Sequence, residues 1–413
     1  LFKSKYKQPG YDYEDGGNVG NLTFHAMPWV VPVNPDGTNV YLLPKSKDKP
    51  ADGFAAMLRT GNGFTQVNKT AIGAVLKVME GLEITGKFTY RNYAKEKLAR
   101  SASFQYAIRP NEVLTANGWP FNNRLKDGRD TYENYVYDLY ANFHRTFADV
   151  HNVSAVVGTN YETGHYKFVE PSGRDLTSEV LNDLSLSTGE KSVKSSQNEF
   201  ALMGYFARLS YDYNGRYLVE ANMRYDGTSR FPRNHRWGFF PSLALGWRIS
   251  EEAFFAPVRP VVSNLKLRAS LGSLGNQITD NAKKFNKNTF YPYMRLITLD
   301  NTTTLNYIFD NAQATYASLG DPTSGSLTWE TIVTQNVGLD VGLFNNRLSL
   351  ALDVYSRTTK DMLAASRALP AVYGYAAPLE NNGELRTNGF ELVVGWNDKF
   401  NLAGKPFYYG VNL

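Results

Sequence analysis

Residues 202–250 read LMGYFARLSYDYNGRYLVEANMRYDGTSRFPRNHRWGFFPSLALGWRIS. This stretch holds three runs in which apolar and polar side chains alternate. In the middle run, one set of alternate positions is Tyr217, Val219, Ala221, Met223 and Tyr225. The other set is Glu220, Asn222, Arg224 and Asp226. Because successive side chains of a strand point to opposite faces, the pattern predicts a strand with one dry face and one wet face.

The flanking runs repeat this pattern. The first run ends at Asn214-Gly215, a dipeptide typical of tight hairpins. Its apolar face carries Met203, Tyr205, Ala207, Leu209, Tyr211 and Tyr213. Phe206 is the one bulky side chain on its polar face. The third run places Leu243, Leu245, Trp247 and Ile249 on one face. The stretch therefore predicts three consecutive strands.

A soluble β-sandwich also has such strands, but three features favour a membrane barrel. The runs are about ten residues or longer, which is the length that a tilted strand needs to cross a bilayer. Aromatic residues mark the ends of the apolar faces, as an interfacial girdle requires, at Tyr213, Tyr217, Tyr225 and Trp247. Charge on the opposite face suits a water-filled lumen. The predicted fold class is all-β, an antiparallel transmembrane β-barrel.

Alternation along the whole chain predicts about twelve strands. They are 71–80, 83–95, 133–147, 151–165, 198–213, 216–229, 236–250, 264–275, 326–343, 347–362, 386–401 and 405–413. Short and long connections follow each other in turn, as in outer-membrane barrels with short periplasmic turns and long external loops. The medium link 251–263, with Pro257 and Pro260, is expected to hold a short helix or turn.

The remaining organisation follows from composition. Residues 1–70 are rich in Gly, Pro, Lys and Asn and alternate little, so we expect an extracellular loop or irregular segment there. Residues 71–413 are predicted to be a partial barrel. The sequence opens on Leu1 and closes inside a strand-like run, 407–413, and we expect it to be a fragment of a longer protein.

Composition also limits the function classes. Aromatic residues make up 14% of the 413 residues, which suits girdles and a polar aromatic lumen. No apolar run is long enough for a membrane-spanning helix. The net charge of +5 is small against 44 basic and 39 acidic residues and forms no basic block, which argues against nucleic-acid binding. Cysteine is absent, so disulfides and thiolate sites are excluded.

Patterns for catalysis and metal binding are weak. No two of the five histidines have metal-ligand spacing, and there is no Gly-x-Ser-x-Gly elbow. The Gly-rich stretches 61–63 and 272–276 lack the Lys-Ser/Thr of a phosphate-binding loop, so they are predicted to be turns. We therefore expect no enzyme activity, no metal and no cofactor.

Several motifs occur in a fixed order along the barrel segment. They are YDGTSRF (225–231), RWGFFPS (236–242), GWRISEE (246–252), LKLRAS (265–270), NVGLD (336–340) and NGFE (388–391). In this order and spacing they resemble the barrel of SusC/RagA-type TonB-dependent outer-membrane transporters of Bacteroidetes. The resemblance covers roughly residues 71–413. It implies a full-length barrel of about 22 strands around a plug, with the plug and the last strands missing from this sequence.

The resemblance also implies a function and partners. It implies TonB-driven import of an oligosaccharide or a peptide through a barrel embedded in outer-membrane lipid. A SusD-like lipoprotein would cap the barrel, and TonB would act through the missing N-terminal part. Two alternatives stay open. One is a passive porin-like channel or surface adhesin on the same barrel, and the other is a soluble carbohydrate-binding β-protein.

Two groups of residues are candidates for function. The first group lies in the long loop 276–325, where aromatic rings could stack on a sugar or pack the loop itself: Tyr291, Tyr293, Tyr307 and Tyr316. The second group lies around the short loop 230–235 and is expected at the rim or lumen wall: Arg224, Asp226, Arg230, Arg236 and Trp237. The charged residues of this group could fix the loop or contact a substrate.

Overall fold

The structure is a computed structural model. It describes residues 2–9, 39–40, 60–101, 104–109, 112–116, 123–178, 180–277, 290–300, 308–309, 312–313, 316–366, 370–402 and 404–413. The chain divides into two compact units. The first consists of Leu1–Ala71, Thr89–Tyr135 and Gly164–Glu199, and the second of Ile72–Phe88, Val136–Thr163 and Phe200–Leu413.

The described residues form twenty strands. They are β1 Phe2–Pro9, β2 Asn39–Val40, β3 Thr60–Met79, β4 Leu82–Ser101, β5 Phe104–Arg109, β6 Glu112–Ala116, β7 Arg124–Phe147, β8 His151–Gly173, β9 Lys191–Tyr213, β10 Tyr217–Thr228, β11 Trp237–Arg248, β12 Val262–Asn276, β13 Ile297–Asp300, β14 Ile308–Phe309, β15 Ala312–Gln313, β16 Tyr316–Leu319, β17 Glu330–Leu343, β18 Leu348–Ala365, β19 Leu379–Leu402 and β20 Lys405–Asn412.

The helices of the described residues are all short 3-10 helices. They are Leu184–Leu186, Arg233–His235, Ile249–Glu251, Ala253–Phe255 and Ala371–Tyr373. In the part of the chain that the structure describes, no helix is both long and apolar enough to cross a bilayer.

One sheet of 13 strands contains all twelve predicted strands. Its order is β1-β3-β4-β7-β8-β9-β10-β11-β12-β17-β18-β19-β20, so nearly every strand lies beside its neighbour in the chain. From β9 onward each pair of neighbours is antiparallel. Within the described residues this order does not return from β20 to β1. The predicted all-β, antiparallel fold is confirmed.

Short turns join the strands at one end of the second unit. At the β9–β10 turn, Asn214 and Gly215 both have positive φ, and the backbone N–H of Arg216 donates to Tyr213 O. Tyr213 then pairs with Tyr217, so three residues separate the paired strands rather than the two that were predicted. The side chain of Asp212 accepts from Gly215 N–H, which stabilises this wider turn.

The structure differs from the sequence-based expectation in residues 1–70. Phe2–Pro9 forms a strand that pairs with β3, and β3 itself begins at Thr60. A strand at the edge of a sheet is held by backbone hydrogen bonds, which need no apolar alternation in the sequence. The domain boundary at residue 71 stays a prediction, since most of residues 1–70 lie outside the described residues.

The two faces of the sheet differ in the second unit. One face carries exposed apolar side chains on successive strands, and we call it the outer face. Its residues include Leu209, Val219, Met223, Leu243, Leu245, Leu267, Val337, Val354, Phe390 and Leu392. Phe390 is 76% exposed and Val337 is 55% exposed. A continuous apolar belt of this kind fits contact with lipid rather than with water. We call the opposite face the lumen face.

Aromatic side chains border the outer face at both ends. Near one end, Trp237 stacks on Tyr225 with ring centroids 4.8 Å apart. Ten residues further along β11, Trp247 pairs with Tyr217 beside the short turns. Ten residues, at about 3.3 Å each and a tilt of about 40°, span about 25 Å along the membrane normal, the height of the apolar band in outer-membrane barrels. The same spacing separates Tyr137 from Phe147 and Tyr161 from His151.

Candidate functional site

The middle of the lumen face carries a polar ladder across β9 and β10. Glu220 pairs with Ser210 in the register, and Asn222 pairs with Arg208. Arg208 Nε donates to Asn222 Oδ1 (2.9 Å), and its guanidinium lies 3.5 Å from Glu220 Oε1. Asn222 Nδ2 and Ser210 Oγ also donate to the Glu220 carboxylate, at 2.9 and 3.1 Å. The wall therefore presents connected donors and acceptors with balanced charge.

Arg224 and Asp226 extend this ladder toward the rim. The guanidinium donates twice to the carboxylate, at 3.0 and 2.8 Å. Register places Phe206 beside Arg224, and the Arg224 Cζ atom lies 5.6 Å from the centre of the Phe206 ring. Gly204 lies beside Asp226, where a Cβ atom would collide with the carboxylate. Phe206, the one bulky side chain on the polar face of its strand, thus contacts the lumen-face Arg224 through a cation–π interaction.

A third charged cluster lies on β12, β17 and β18. Arg268 donates to both carboxylate oxygens of Asp340, at 2.9 and 2.8 Å. It also donates to both oxygens of Asp353, at 3.1 and 2.9 Å. Because one cation is shared by two carboxylates, this cluster carries a net negative charge. Arg268 is not among the candidates predicted from the sequence, although the alternating pattern already places it on the polar face.

The short loop 230–236 is held at the rim by its own arginines. The Arg230 Cζ atom lies 5.0 Å from the ring centre of Phe200 and 5.5 Å from that of Phe290. Arg236 Nε donates to the backbone oxygen of Phe231 (3.1 Å). Trp237, the last candidate of this group, lies on the outer face against Tyr225. The described contacts of these three candidates are with the protein itself.

A small apolar cluster, which we call the rim core, lies beneath this loop. Its buried residues are Phe231, Phe240, Leu327 and Trp329. The Trp329 ring meets the rings of Phe231 and Phe240 edge-on, at 5.7 and 5.4 Å, and its Nε1 donates to Arg236 O (2.8 Å). The rim core therefore joins the 230–236 loop to the segment before β17. The rim core was not predicted from the sequence, because Phe231 and Phe240 lie about 90 residues before Leu327 and Trp329 in the chain.

Polar bonds fasten a third segment to the rim core. Thr328 donates its N–H to Asn381 Oδ1 and accepts from Asn381 Nδ2, both at 2.9 Å. Glu330 accepts from Leu363 N–H (2.9 Å) and from the side chain of Asn276 (2.9 Å). The ends of β12, β17, β18 and β19 are thus cross-linked at the long-loop end.

The four candidate tyrosines differ in how far the structure describes them and in what they contact. Tyr293 packs against the rim core, and its backbone oxygen accepts from Thr323 Oγ1 (2.9 Å). Tyr291 lies 6.3 Å from Tyr293, ring to ring, in an edge-on contact. Tyr316 opens β16 and pairs with Asp300 through the backbone, and its side chain lies outside the described residues. Tyr307 also lies outside them. The structure thus brings only Tyr291 and Tyr293 together.

A groove of about 570 Å³ on the lumen face links these features. Its polar wall includes Asn222, Arg224 and Asp226, and its floor near the rim includes Phe240 and Trp329. Polar groups converging beside an aromatic surface are typical of a small-molecule binding surface. Among the described residues, no group of three His, Asp or Glu could hold a metal ion. The groove can therefore offer hydrogen bonds, ion pairs and aromatic contacts to a solute.

The family described as "TonB dependent receptor-like, beta-barrel" matches residues 6–412. The chain belongs to this family. The TonB-dependent receptor barrel thereby accounts for the apolar outer face, the girdles and the polar lumen, and it is an outer-membrane barrel. The resemblance drawn from the motifs is confirmed, and so is the expectation that the chain is not an enzyme, because the family consists of receptors.

The chain is similar to TonB-dependent receptors of two bacteria. TonB-dependent receptor P39 of Formosa agariphila is 26% identical over 416 residues, which cover 95% of this chain and 36% of that protein. TonB-dependent receptor SusC of Bacteroides thetaiotaomicron is 33% identical over 264 residues, which cover 63% of this chain and 24% of SusC. This receptor barrel therefore spans about a third of the length of P39.

The fold is also similar to a solved structure. The structure of the RagAB peptide transporter superposes with a TM-score of 0.73 at 21% identity. The match covers 92% of this chain and 40% of the other. At this identity the likeness applies to the fold, and it supports the assignment of the receptor barrel's strand order.

Proposed function

We propose that the protein to which this barrel belongs imports a nutrient across the outer membrane, driven through TonB. The observation that carries the proposal is the family match over residues 6–412. The polar groove on the lumen face supports it, because a solute that crosses the barrel must exchange water for polar groups on the wall.

The substrate class that fits the groove best is an oligosaccharide. The charges of the Arg224–Asp226 pair and of the ladder around Glu220 are paired, and these groups and the Glu162 carboxylate offer many donors and acceptors to hydroxyl groups. Tyr291 and Tyr293 at the rim add aromatic faces on which sugar rings can stack. A peptide is the second candidate, since the similar RagAB structure is that of a peptide transporter.

Two partners belong to this proposal. A SusD-like surface lipoprotein would cap the long-loop end, where the rim core holds three segments in one arrangement. A rigid rim supports such docking, because less conformational entropy is lost when a partner binds. TonB would act through parts of the protein that this chain does not include.

Transport assays test the proposal. Cells that carry the full-length gene, and cells from which it is deleted, are offered fluorescent neutral oligosaccharides and fluorescent peptides, with and without a protonophore. We expect gene-dependent accumulation of an oligosaccharide that the protonophore abolishes. Accumulation that survives the protonophore would favour the passive channel, and surface binding without uptake would favour the adhesin. Peptide uptake alone would overturn the substrate class. A full-length protein that stays in buffer without detergent would favour the soluble β-protein.

A matched pair of variants tests the groove. Arg224→Gln with Asp226→Asn keeps the shape of the lumen pair and removes its charges, so we expect a higher KM for uptake. Arg259→Gln with Glu251→Gln removes a comparable ion pair (3.0 Å) at the short-turn end, away from the groove, and should leave KM unchanged. Equal effects of the two double variants on KM would contradict a role for the groove.

A further inference from the structure

The connection between β11 and β12, residues 249–261, is an unusual element at the short-turn end. We call it the elbow. It consists of the 3-10 helices Ile249–Glu251 and Ala253–Phe255 followed by turns, and a short helix or turn was predicted here. Arg248 N–H donates to Arg216 O (2.8 Å) on one side, and Phe344 N–H donates to Val261 O (2.9 Å) on the other. The elbow therefore lies level with the tight turns, which face the periplasm in outer-membrane barrels.

The elbow exposes several apolar side chains at the short-turn end. Its exposed apolar residues are Phe254, Val258 and Val261, at 67%, 45% and 53% exposure. Arg259 instead folds back, donating to Ser250 O (2.5 Å) and to the Glu251 carboxylate (3.0 Å). Arg259 and Glu251 thus neutralise each other within the elbow, while Phe254, Val258 and Val261 stay exposed.

Glu252 attaches the elbow to the outer face. Its carboxylate accepts from Tyr217 Oη (2.7 Å) and from Trp247 Nε1 (3.1 Å), and Arg216 lies 3.8 Å away. Tyr217 and Trp247 belong to the aromatic border of the outer face at the short-turn end. Aromatic borders of this kind lie at the level of the lipid headgroups. The elbow therefore begins on the lipid side of the barrel, at headgroup depth.

We propose that the elbow is an interfacial anchor that binds the phospholipid surface of the periplasmic leaflet. Phe254, Val258 and Val261 lie at the boundary between headgroups and acyl chains, where apolar side chains of interfacial segments insert. Lipid is the occupant because Glu252 holds the start of the elbow against the aromatic border of the lipid-facing belt, and the exposed apolar side chains follow directly. This anchor is independent of import, and a passive barrel would have it as well.

Site-directed spin labelling of the full-length protein in phosphatidylethanolamine/phosphatidylglycerol bilayers tests the anchor. The 413 residues contain no cysteine, so Phe254→Cys and Val258→Cys label single sites once any cysteine elsewhere in the protein is replaced. Ala256→Cys, an exposed site between them, is the matched control. Val219→Cys on the outer face gives the reference for lipid, and Asn345→Cys in a tight turn gives the reference for water.

Each spin label collides with two reagents: oxygen, which concentrates in lipid, and a nickel chelate, which stays in water. The measured quantity is the ratio of these two collision rates. We expect labels at 254 and 258 to resemble the lipid reference, and the label at 256 to be shifted toward the water reference. Labels at 254 and 258 that resemble the water reference would overturn the anchor. Low collision rates with both reagents would overturn it too, since they would mean that protein covers the elbow. Heat-modifiable gel migration checks that each variant folds. If one of the two elbow variants does not fold, the other one is sufficient for the test.

Discussion

Replacing Trp329 by alanine should release the rim without unfolding the barrel. Trp329 is 7% exposed and lies at the centre of the rim core. Its loss removes two edge-on aromatic contacts and the bond to Arg236 O. The strands below the rim core keep their continuous backbone ladders, so the change should remain local.

The size of the effect follows from burial. Truncating a buried tryptophan to alanine destabilises by about 3–5 kcal/mol. Since about 1.4 kcal/mol is a factor of ten, local opening of the rim should become at least roughly 10²-fold more frequent. Trp329→Phe keeps a ring in the core and loses mainly the hydrogen bond, worth about 1 kcal/mol, so opening should rise only about fivefold.

Native-state hydrogen exchange measures this opening. The informative amides are those of Thr328 and Leu363, which donate across the rim. Trp247→Ala, at the opposite end of β11, is the control and should leave both amides unchanged. Two results would contradict a local stabilising role of the rim core. One is an increase of less than tenfold in the exchange rates of the Thr328 and Leu363 amides in Trp329→Ala, and the other is loss of heat-modifiable migration of the whole barrel.

Three further predictions concern the two faces, the elbow and a tight turn. Ala221→Arg places a charge midway between the aromatic borders of the outer face and should destabilise the folded barrel by about 2–4 kcal/mol. Ala244→Arg, on the lumen face of the neighbouring strand, should be tolerated. Equal urea midpoints of unfolding for the two variants would contradict the assignment of faces. Hydrogen bonds from the Tyr217 hydroxyl and the Trp247 indole lower the pKa of Glu252. The stabilisation that the ionised carboxylate gives to the elbow is therefore complete above the ordinary glutamate pKa, and it is lost as the pH falls through the lower pKa of the folded protein. The mobility of a spin label on the elbow should therefore increase below the ordinary pKa, and Glu252→Gln should remove this pH dependence. Gly81→Ala adds a collision with a neighbouring backbone oxygen to a φ of +82°, so it should destabilise more than Gly374→Ala, which has a φ of +71° and open space; unfolding in urea compares them.

The positions of the strands were predictable where the two faces meet different solvents. Within the membrane band, one side of each strand is apolar and the other polar, and all twelve predicted strands occur. Strand ends were less predictable. β8 runs to Gly173 and β19 begins at Leu379, beyond the predicted 165 and 386. Past the aromatic border both faces can meet water, so backbone pairing continues while the alternation that marks a strand in the sequence disappears.

The candidate site was predictable in part. Alternation placed Arg224 and Asp226 on the polar face, and their pairing follows from their positions on one strand. The rim core was not predictable, because Phe231 and Trp329 meet only through the order of strands in the sheet. Trp329 was assigned to a strand that was expected to begin at 326, whereas β17 begins at Glu330. The role of Phe206 likewise depends on its register with Arg224.

Three of the bonds that fasten the rim end on main-chain oxygens, and this bears on how such receptors diversify. His235 and Arg236 accept from Thr328 and Trp329 through their backbone oxygens, and Asp361 accepts from Asn381 in the same way. A backbone oxygen is present whatever side chain follows it. Mutations at position 235 can therefore accumulate without loosening the loops, whereas Asp361 has a φ of 56°, which restricts the residues that fit there. The side chains of the loops can drift over generations while the frame beneath them is inherited unchanged.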